Sequence, residues 1–411
     1  MHTSKRPGSP AAGATRPRLW LDRIGLQTTA LALLAGLLSA CSASYAGADV
    51  MQAEDFQQAT WEQALPTGAG PSALAVLDVN SDARSDVAVS NGVDGTVSVF
   101  LQQDGRLLAG PVYAVGRGPA AIVALHLDDD NRLDLLVANA ADSTLSTLLS
   151  KGAPTGAFVA GPEIPTDGNP SVLAVGDVNG DAIDDVLVGC VGAESVVVLE
   201  NKRQGGSLTR LSTLPSLASV RALALLPLDA SKPLRLDLAV ARADQEEVSL
   251  FENDGRGSFS ALLSLLRLPA GSTPVALLAG NFDGDAQGRV DLAALDHSLG
   301  EVSIGQALGS RQFRIGSYHV GEKPAALAMG QLDGDTRPEL VFADPSGERI
   351  GTLMGRNDSL ANPLPLALYS TPGLPAAVAV ADLDNDGLGE VLVLCRAAGL
   401  LRLLSPQRIA R

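Results

Sequence analysis

The nine residues Asp382-Leu-Asp-Asn-Asp-Gly-Leu-Gly-Glu390 place carboxylates at alternate positions of a short loop, and the apolar run Val391 to Leu394 follows directly. Oxygen atoms at loop positions one, three, five and nine suit a hard cation such as calcium. The backbone carbonyl of position seven, Leu388, can add a further oxygen. The stretch therefore predicts a metal-binding loop that leads into a buried strand.

The same unit recurs seven times at a spacing of about 50 residues, which is the length of a four-stranded propeller blade. The first loop position is occupied in turn by Asp78, His126, Asp177, Leu226, Asn281, Gln331 and Asp382. A proline lies seven residues earlier in six units, where a residue without a backbone donor suits the start of a strand. These residues are Pro71, Pro119, Pro170, Pro274, Pro324 and Pro375, with Ser219 in the fourth unit.

Each unit reads as strand, acidic loop, strand, turn, strand, turn and strand. In the first unit the predicted strands are 73–77, 87–90, 96–102 and 111–115. The first strands are apolar on both faces, as inner strands between neighbouring blades need to be. The last unit has only three strands and ends with Leu400 to Leu404, so Phe56 to Leu65 is expected to supply the fourth and close the ring. The sequence predicts an all-β, seven-bladed propeller over residues 56–405 and a C-terminal tail over 406–411.

The first 40 residues predict an export signal, because basic residues precede an uncharged apolar run from Leu26 to Ala40. This run of about 15 residues is too short to span a bilayer as a helix. Its end, Leu38-Ser39-Ala40-Cys41, resembles the lipobox of bacterial lipoproteins. The resemblance implies a lipid on Cys41, a tether over 41–55 and, since Ser42 follows the cysteine, sorting to the outer membrane. An ordinary secretory signal with a chance cysteine is the alternative.

Composition narrows the class of protein. Acidic residues outnumber basic ones by 46 to 30, and a net charge of −16 argues against nucleic acid as a partner. With 3% aromatic residues, 43 glycines and 24 prolines, the chain favours many short strands of small apolar residues. Cys190 and Cys395 fall on the third and seventh units, which are not neighbours, so both are predicted to be buried free thiols.

Two loops identify a family. Asp78-Val-Asn-Ser-Asp-Ala-Arg-Ser-Asp86 and Asp177-Val-Asn-Gly-Asp-Ala-Ile-Asp-Asp185, each followed by an apolar strand, resemble FG-GAP or VCBS repeats. Such repeats build the integrin α-chain propeller and many secreted bacterial proteins. The resemblance implies binding, adhesion or scaffolding, with calcium in three loops. The implied ligands are Asp78, Asn80, Asp82 and Asp86 in blade one, Asp177, Asn179, Asp181 and Asp185 in blade three, and Asp382, Asp384, Asp386 and Glu390 in blade seven.

The other loops depart from the family pattern. Blade two has His126 before Asp128, Asp130 and Asp134, and blade six has Gln331 before Asp333, Asp335 and Glu339, so weaker sites are expected. Blade five carries two extra residues, and blade four, with Leu226 and Leu228 at ligand positions, is expected to hold no metal.

One feature of the intact loops argues against an ideal calcium geometry. Ala83 and Ala182 occupy the sixth position, where glycine is expected, so these loops must turn differently or accept strain. The alternative to calcium is that the Asp and Asn residues only cap turns.

The four histidines are scattered, and neither a nucleophile elbow nor a phosphate loop is present, so no enzyme is predicted. We expect a calcium-stabilised, monomeric propeller that is lipid-anchored at the bacterial outer membrane and binds an envelope or extracellular protein or glycan. The alternative is a polysaccharide lyase or hydrolase, which needs a convergent polar cluster at the mouth of the channel. The face opposite the loops carries acidic turns, which predict either a basic or cation-bridged partner or only a solvated surface. These turns contain Asp94, Asp142, Glu194, Glu246, Glu247 and Glu348.

Overall fold

The computed structural model describes residues 62–152, 157–229, 231–282, 289–309, 311–333, 338–353 and 366–405. All of them belong to the compact unit Phe56–Arg411. The predicted signal peptide, the tether with Cys41 and the tail 406–411 lie outside the described residues.

The described residues form 28 strands in seven four-stranded antiparallel sheets. The strands of the first three blades, preceded by β1, are β1 (Gln63–Pro66), β2 (Pro71–Leu77), β3 (Asp86–Asn91), β4 (Thr96–Gln103), β5 (Arg106–Ala114), β6 (Pro119–Leu125), β7 (Asp134–Asn139), β8 (Thr144–Ser150), β9 (Phe158–Pro165), β10 (Pro170–Gly176), β11 (Asp185–Cys190), β12 (Ser195–Gln204) and β13 (Ser207–Leu214). Blades four to seven contain β14 (Val220–Leu226), β15 (Asp237–Arg242), β16 (Glu247–Asn253), β17 (Phe259–Arg267), β18 (Pro274–Gly280), β19 (Asp291–Asp296), β20 (Glu301–Gly309), β21 (Gln312–His319), β22 (Ala326–Gly330), β23 (Glu339–Asp344), β24 (Arg349–Leu353), β25 (Leu366–Ser370), β26 (Pro375–Ala381), β27 (Glu390–Cys395) and β28 (Leu400–Leu404).

The ring closes through the N-terminal strand, as the sequence predicts. Six sheets use four consecutive strands, whereas the seventh has the order β1-β28-β27-β26. Gln63 pairs with Leu403 and Pro66 with Leu400, so β1 is the fourth strand of blade seven. This pairing covers the outer edge of β28, which would otherwise present unpaired backbone groups. The part of the predicted closing segment before residue 62 lies outside the described residues.

The prolines mark the start of the inner strands. Five blades begin their inner strand at the predicted proline, and in each of them the register shifts within the next two residues, as between Pro71 and Ala73. A proline cannot donate to the ladder, so an irregular pair at that position leaves no donor missing. In blade six the strand begins at Ala326, just after Pro324.

The core lies between adjacent blades. Every side chain of the second strands β3, β7, β11, β19, β23 and β27 is buried. One apolar cluster joins Val97 and Val99 of blade one to Leu135 and Phe158 of blade two. Each fully buried side chain of this size stabilises the fold by about 1.5–3 kcal/mol. The all-β, seven-bladed propeller predicted from the repeat is therefore confirmed.

Both cysteines of the described residues lie in this core. Cys190 and Cys395 are buried free cysteines, as predicted. Within the described residues, no helix is long and apolar enough to cross a membrane.

Candidate functional site

The carboxylate at the ninth loop position is a buried hydrogen-bond acceptor that links the loop to the third strand. In blade one, Asp86 accepts a hydrogen bond from the backbone N–H of Val79 at 3.0 Å and another from that of Gln102 at 2.7 Å. Val79 belongs to the loop that leaves the inner strand, whereas Gln102 belongs to the third strand, β4. One buried side chain therefore joins the loop to the third strand of its blade.

The same two bonds occur in four more blades, and in blades four and five, whose loops are two residues longer, the aspartate lies two positions later. The donor in the loop lies 2.8 Å from Asp134, 3.3 Å from Asp185, 3.2 Å from Asp237 and 3.0 Å from Asp291. The donor on the third strand lies at 2.8, 3.0, 2.8 and 2.7 Å respectively, and it always follows the aspartate by 16 residues. Because blade four has this arrangement without a set of metal ligands, the two hydrogen bonds of the buried carboxylate do not require an ion.

Blades six and seven have glutamate in place of this aspartate. Glu339 accepts from the backbone N–H of Leu332 at 2.6 Å, and Glu390 accepts from that of Leu383 at 2.7 Å. Burial raises the pKa of Glu390 to about 7, and the charges of Asp384 and Asp386 act in the same direction. Burial likewise raises the pKa of Asp86 and of Asp185 to about 6, although their backbone hydrogen bonds favour the ionised form.

The exposed part of the blade-one loop is a chain of side chain to backbone hydrogen bonds. Asp78 accepts from the N–H groups of Asp82 and Ala83 at 3.1 and 2.8 Å. Asn80 accepts from the N–H of Asp82 at 3.1 Å, and Asp82 accepts from that of Arg84 at 3.0 Å. The acidic side chains thus turn the backbone around one point, which is the turn-capping arrangement expected for such residues.

Blade three repeats this geometry. Asp177 accepts from the N–H groups of Gly180 and Ala182 at 2.7 and 2.9 Å, and Asp181 accepts from that of Ile183 at 2.9 Å. Asn179 donates its amide to Asp181 at 3.2 Å. The two loops therefore bring the predicted ligands of positions one, three and five together, with position nine buried beneath them.

The sixth position of these loops adopts positive φ. The angle is 62° at Ala83, 64° at Ala182 and 89° at Gly387. A side chain with a Cβ is disfavoured by about 1–2 kcal/mol in this left-handed region. Of the two outcomes that the sequence left open, the alanine loops accept strain and keep the same turn as the glycine loop.

Blade seven gathers its carboxylates most closely. Oxygen atoms of Asp382, Asp384 and Glu390 all lie within 4.8 Å of one another, the one such group of potential metal ligands found in the described residues. Asp386, the fourth predicted ligand, instead accepts from the N–H of Leu388 at 2.8 Å. Two differences from blades one and three account for this. Glu390 is longer than the aspartate at their ninth position and reaches the loop while it accepts from the N–H of Leu383. The third position holds the carboxylate of Asp384, where blades one and three have asparagine. Three close carboxylates of hard oxygen fit a calcium ion.

Blade two contains a cation of its own. The guanidinium of Arg132, at position seven, forms an ion pair with Asp130. Nδ1 of His126, at position one, lies 2.8 Å from the carbonyl oxygen of Arg132, the atom that would face an ion in an intact loop. Burial alone would raise the pKa of Asp130, but its hydrogen bonds with Arg132 and Asp128 and the charge of Arg132 outweigh this and lower it.

Blade four also uses basic side chains. The predicted register of this loop is wrong by one residue, because Leu226 pairs with Asp237 as Leu77 pairs with Asp86 and is the last residue of the inner strand. Pro227 therefore occupies the first ligand position, and Leu228 corresponds to the buried Val79 of blade one. Nη2 of Arg235 lies 2.8 Å from Glu252, and Nζ of Lys232 lies 3.9 Å from Asp229. In blade six, Asp335 lies outside the described residues, as do residues 283–288 of the blade-five loop.

The acidic turns on the opposite face are partly structural. Asp94 accepts from the N–H of Ala69 at 2.6 Å, and Asp142 accepts from that of Arg117 and pairs with its guanidinium. Glu246 and Glu348 accept from the N–H groups of Gly271 and Gly373 at 2.6 and 3.3 Å. Four of the six predicted acidic residues therefore hold the segment that precedes an inner strand.

The inner strands carry few polar groups. All seven are described, and their polar side chains are Ser72, Ser171 and Arg221. The hydroxyl of Ser72 donates to the carbonyl oxygen of Pro119 at 2.6 Å. Along the seven described inner strands, polar side chains are thus limited to one residue in each of blades one, three and four.

The sequence reasoning missed residues that connect neighbouring blades. Asn253 donates its amide to the carbonyl oxygen of Val178 in blade three at 2.8 Å, and Asn201 donates to that of His126 in blade two at 2.8 Å. Each asparagine lies 16 residues after the buried aspartate that bonds its N–H, Asp185 for Asn201 and Asp237 for Asn253. Since Gln102 and Ser150 share this spacing, a polar residue at that distance is the signal that could have found them.

Comparisons with known proteins agree with this architecture. Residues 126–188 and 331–393 match the family of FG-GAP-like repeats. Each match begins at the first position of an acidic loop and ends within the second strand of the next blade, so it covers two loops in the predicted register. No curated protein matches the chain.

Solved structures share the fold at low identity. A chain of the crystal structure of BBS1N in complex with ARL6DN, soaked with lead, is 14% identical with a TM-score of 0.59, and 86% of this chain and 99% of that chain are covered. The mercury-soaked crystal of the same complex gives 13%, 0.60, 86% and 98%. Sqt1 from Saccharomyces cerevisiae gives 10%, 0.57, 85% and 98%. The chain is thus a seven-bladed β-propeller that carries FG-GAP-like repeats.

Proposed function

We propose that this propeller is a non-catalytic binding scaffold, which a lipid on Cys41 holds at the bacterial outer membrane. The scaffold recruits an envelope or extracellular protein or glycan. The observation that carries the proposal is the character of the inner strands, in which Ser72, Ser171 and Arg221 are the polar residues among otherwise apolar side chains. An active site needs a nucleophile or an acid and base meeting in one cleft. A rigid ring of FG-GAP-like blades favours a role in protein interaction.

Calcium is the cofactor that we propose for this scaffold. Asp382, Asp384 and Glu390 would hold it in blade seven, with the sets that begin at Asp78 and Asp177 as further sites. The ion would neutralise the gathered carboxylates and tie the loop to the strand that carries Glu390. Asp382 and Glu390 already hold the blade-seven loop by hydrogen bonds. The ion would therefore add stability to a loop whose shape these bonds define.

Site-specific cross-linking in living cells tests the proposed function. The full chain and a Cys41→Ser variant would be produced in a Gram-negative host, with photoreactive residues placed at exposed positions on both faces. We expect the acylated chain to fractionate with the outer membrane and to give discrete cross-linked products, which the Cys41→Ser variant loses or reduces. Products that are absent from both chains, or a soluble acylated chain, would contradict the proposal.

A further inference from the structure

We propose that Asn179, in the blade-three loop, is a site of spontaneous deamidation, which converts its side-chain amide into a carboxylate. The chain contains two Asn-Gly pairs, Asn91-Gly92 and Asn179-Gly180. Such a pair favours the reaction, because glycine has no side chain to hinder the approach of its backbone nitrogen to the preceding amide. The surroundings of the two pairs differ, since Gly180 is exposed and Asn179 half-buried, whereas Asn91 is fully buried.

The attacking atom in this reaction is the backbone nitrogen of the glycine, which must lose its proton. In blade three, the N–H of Gly180 donates to Oδ1 of Asp177 at 2.7 Å. A carboxylate at this distance can take the proton, since a general base acts within about 2.6–3.2 Å of the atom that carries it. Asp177 therefore occupies the position of a base for Gly180.

The carbonyl group under attack is also polarised. Oδ1 of Asn179 accepts a hydrogen bond from the backbone N–H of Asp181 at 3.0 Å. Attack at Cγ places negative charge on this oxygen, and a backbone donor already aimed at it stabilises that charge. The nucleophile, its base and an oxyanion donor thus lie together within residues 177–181 of one loop.

The reaction needs no outside reagent other than water. The nitrogen of Gly180 forms a bond to Cγ of Asn179 and gives its proton to Asp177. The Cγ–Nδ2 bond then breaks, and the amide nitrogen takes up that proton and leaves as ammonia. Water opens the resulting five-membered imide at one of its two carbonyls, which leaves either aspartate or isoaspartate at position 179.

The other Asn-Gly pair lacks this arrangement. The N–H of Gly92 donates to the carbonyl oxygen of Gly70 at 2.8 Å, and a carbonyl oxygen does not take an amide proton. Nδ2 of Asn91 donates to the hydroxyls of Thr96 and Ser98 at 3.0 Å each. Its Oδ1 has no hydrogen-bond donor among the described residues, so charge on that oxygen would not be stabilised. Asn91 is therefore an internal control with the same dipeptide.

Deamidation makes the blade-three loop resemble that of blade seven. Aspartate at position 179 is a carboxylate at the third loop position, where blade seven has Asp384. Isoaspartate instead adds a carbon atom to the backbone and changes the turn. One consequence rests on the proposed function, in which Asp177 and Asn179 hold calcium. A bound ion would occupy both the base and the carbonyl oxygen and so slow the reaction.

Peptide mass mapping of the purified full chain, incubated in a chelator, tests the assignment. We expect Asn179 of the folded chain to convert at least about tenfold faster than Asn91, and no more slowly than it does in denaturant. Asp177→Asn keeps an acceptor for the N–H of Gly180 but cannot take its proton. It should slow conversion at Asn179 at least about tenfold, a part of the roughly 10²–10⁴-fold that a positioned base contributes.

Two results would overturn the inference: slower conversion of Asn179 in the folded chain than in denaturant, or an unchanged rate in Asp177→Asn. Conversion of Asn91 reports the folding of the variant, because it rises to the rate in denaturant if the variant unfolds. The comparison of folded and denatured natural chain then decides. Calcium should slow conversion at Asn179 and leave Asn91 unchanged. Equal rates with calcium and with chelator would count against a calcium site in blade three and leave the modification site standing.

Discussion

The loops of blades two and seven occupy the same place in the repeat and solve the same electrostatic problem in different ways. In blade seven, Asp382, Asp384 and Glu390 converge within 4.8 Å without a basic side chain among them. In blade two, Arg132 pairs with Asp130, and His126 bonds the carbonyl oxygen that an ion would use. The comparison shows that an arginine within an acidic loop can offset its carboxylates, whereas a loop without one presents three converging carboxylates, for which calcium is the proposed counter-ion. Both loops keep the buried ninth carboxylate, which accepts from a loop N–H through Asp134 in blade two and through Glu390 in blade seven.

The largest expected effect concerns the feature that both loops share. Asp237→Ala in blade four removes both acceptors of the N–H groups of Leu228 and Asn253. Two buried donors without partners cost about 1–3 kcal/mol each, so we expect a loss of about 3 kcal/mol or more in the free energy of unfolding. Chemical denaturation in the presence of a chelator and in calcium would measure it, and the loss should be equal in both. Asp229→Ala, at a more exposed position in the same loop, should cost less than about 1 kcal/mol. A similar loss for the two variants would contradict the structural role assigned to Asp237.

Removal of calcium should distinguish blade seven from blade two. A ligand at a hundredfold its dissociation constant stabilises the folded state by about 2.7 kcal/mol, so a chelator should lower the Tm by several degrees. Asp382→Ala should reduce this calcium-dependent gain, since it removes one of the three close carboxylates. Asp128→Ala in blade two should leave the gain unchanged. Differential scanning calorimetry with metal analysis checks both, and an equal response of the two variants would show that the loops do not differ in metal binding.

The pH dependence of the metal-free protein offers a sharper test of blade seven. The pKa of Glu390 is about 7 in the folded protein against 4.5 as its ordinary value, so the folded state binds a proton more readily than the unfolded state. The stabilisation is fully present below pH 4.5 and is lost as the pH rises through 7. We expect the free energy of unfolding to fall by on the order of 2 kcal/mol over this range. Denaturation at a series of pH values would measure it, and Glu390→Gln should flatten the curve. An unchanged slope in that variant would assign the effect to other groups, such as Asp86 and Asp185.

Removing the internal cation should make blade two resemble blade seven. Arg132→Ala leaves the charge of Asp130 uncompensated and should cost about 1 kcal/mol in the presence of a chelator, because the pair is only partly buried. In the double variant His126→Asp with Arg132→Ala, the first position regains an oxygen, and calcium should restore the loss. Calorimetry with and without calcium measures both variants. A double variant that does not respond to calcium would show that more than these two side chains separates the loops.

The smallest expected effect concerns the sixth position. Ala182→Gly relieves a residue held at a φ of 64° and should stabilise the protein by about 0.5–1 kcal/mol. Gly387→Ala is the reverse experiment, since a Cβ there would meet no atom within 4 Å and its cost reports the backbone angle alone. Both variants are compared in chelator by chemical denaturation. Changes of the same sign would contradict the assignment of strain.

Most of the architecture could be predicted because the repeat is written in local patterns. Alternating carboxylates, an apolar run and a proline at a fixed distance indicated the number of blades, and the missing fourth strand of the last unit predicted closure by Phe56 to Leu65, where the structure has the strand Gln63–Pro66. The candidate ligands could also be predicted, because oxygen atoms at alternate positions are a chemical pattern, and in blade seven three of the four lie close together. Whether metal fills them stays a prediction, as do the lipid on Cys41 and the location in the outer membrane.

The roles of individual side chains within the loops could not be read in the same way. Asp185 was predicted as one ligand among four, yet it is fully buried and bonds the N–H of Asn201 on the third strand. Asp94 and Glu246 were predicted as a charged surface, and they hold backbone amides. The carboxylate group is chemically the same in all these roles, so the residue type alone does not reveal the role. What separates them is which donor the fold brings within 3 Å.

The sequence by itself determined the blade, the number of its copies and the position of every acidic loop except that of blade four, because spacing and hydrophobic pattern are properties of neighbouring residues. Only the tertiary structure decided which groups the carboxylates of each loop contact and what the ninth carboxylate does. Arg132 meets Asp130 within its own turn, whereas the donor for Asp237 is Asn253, which reaches it only after two strands have paired. Such contacts depend on distance in space, which spacing along the chain does not encode.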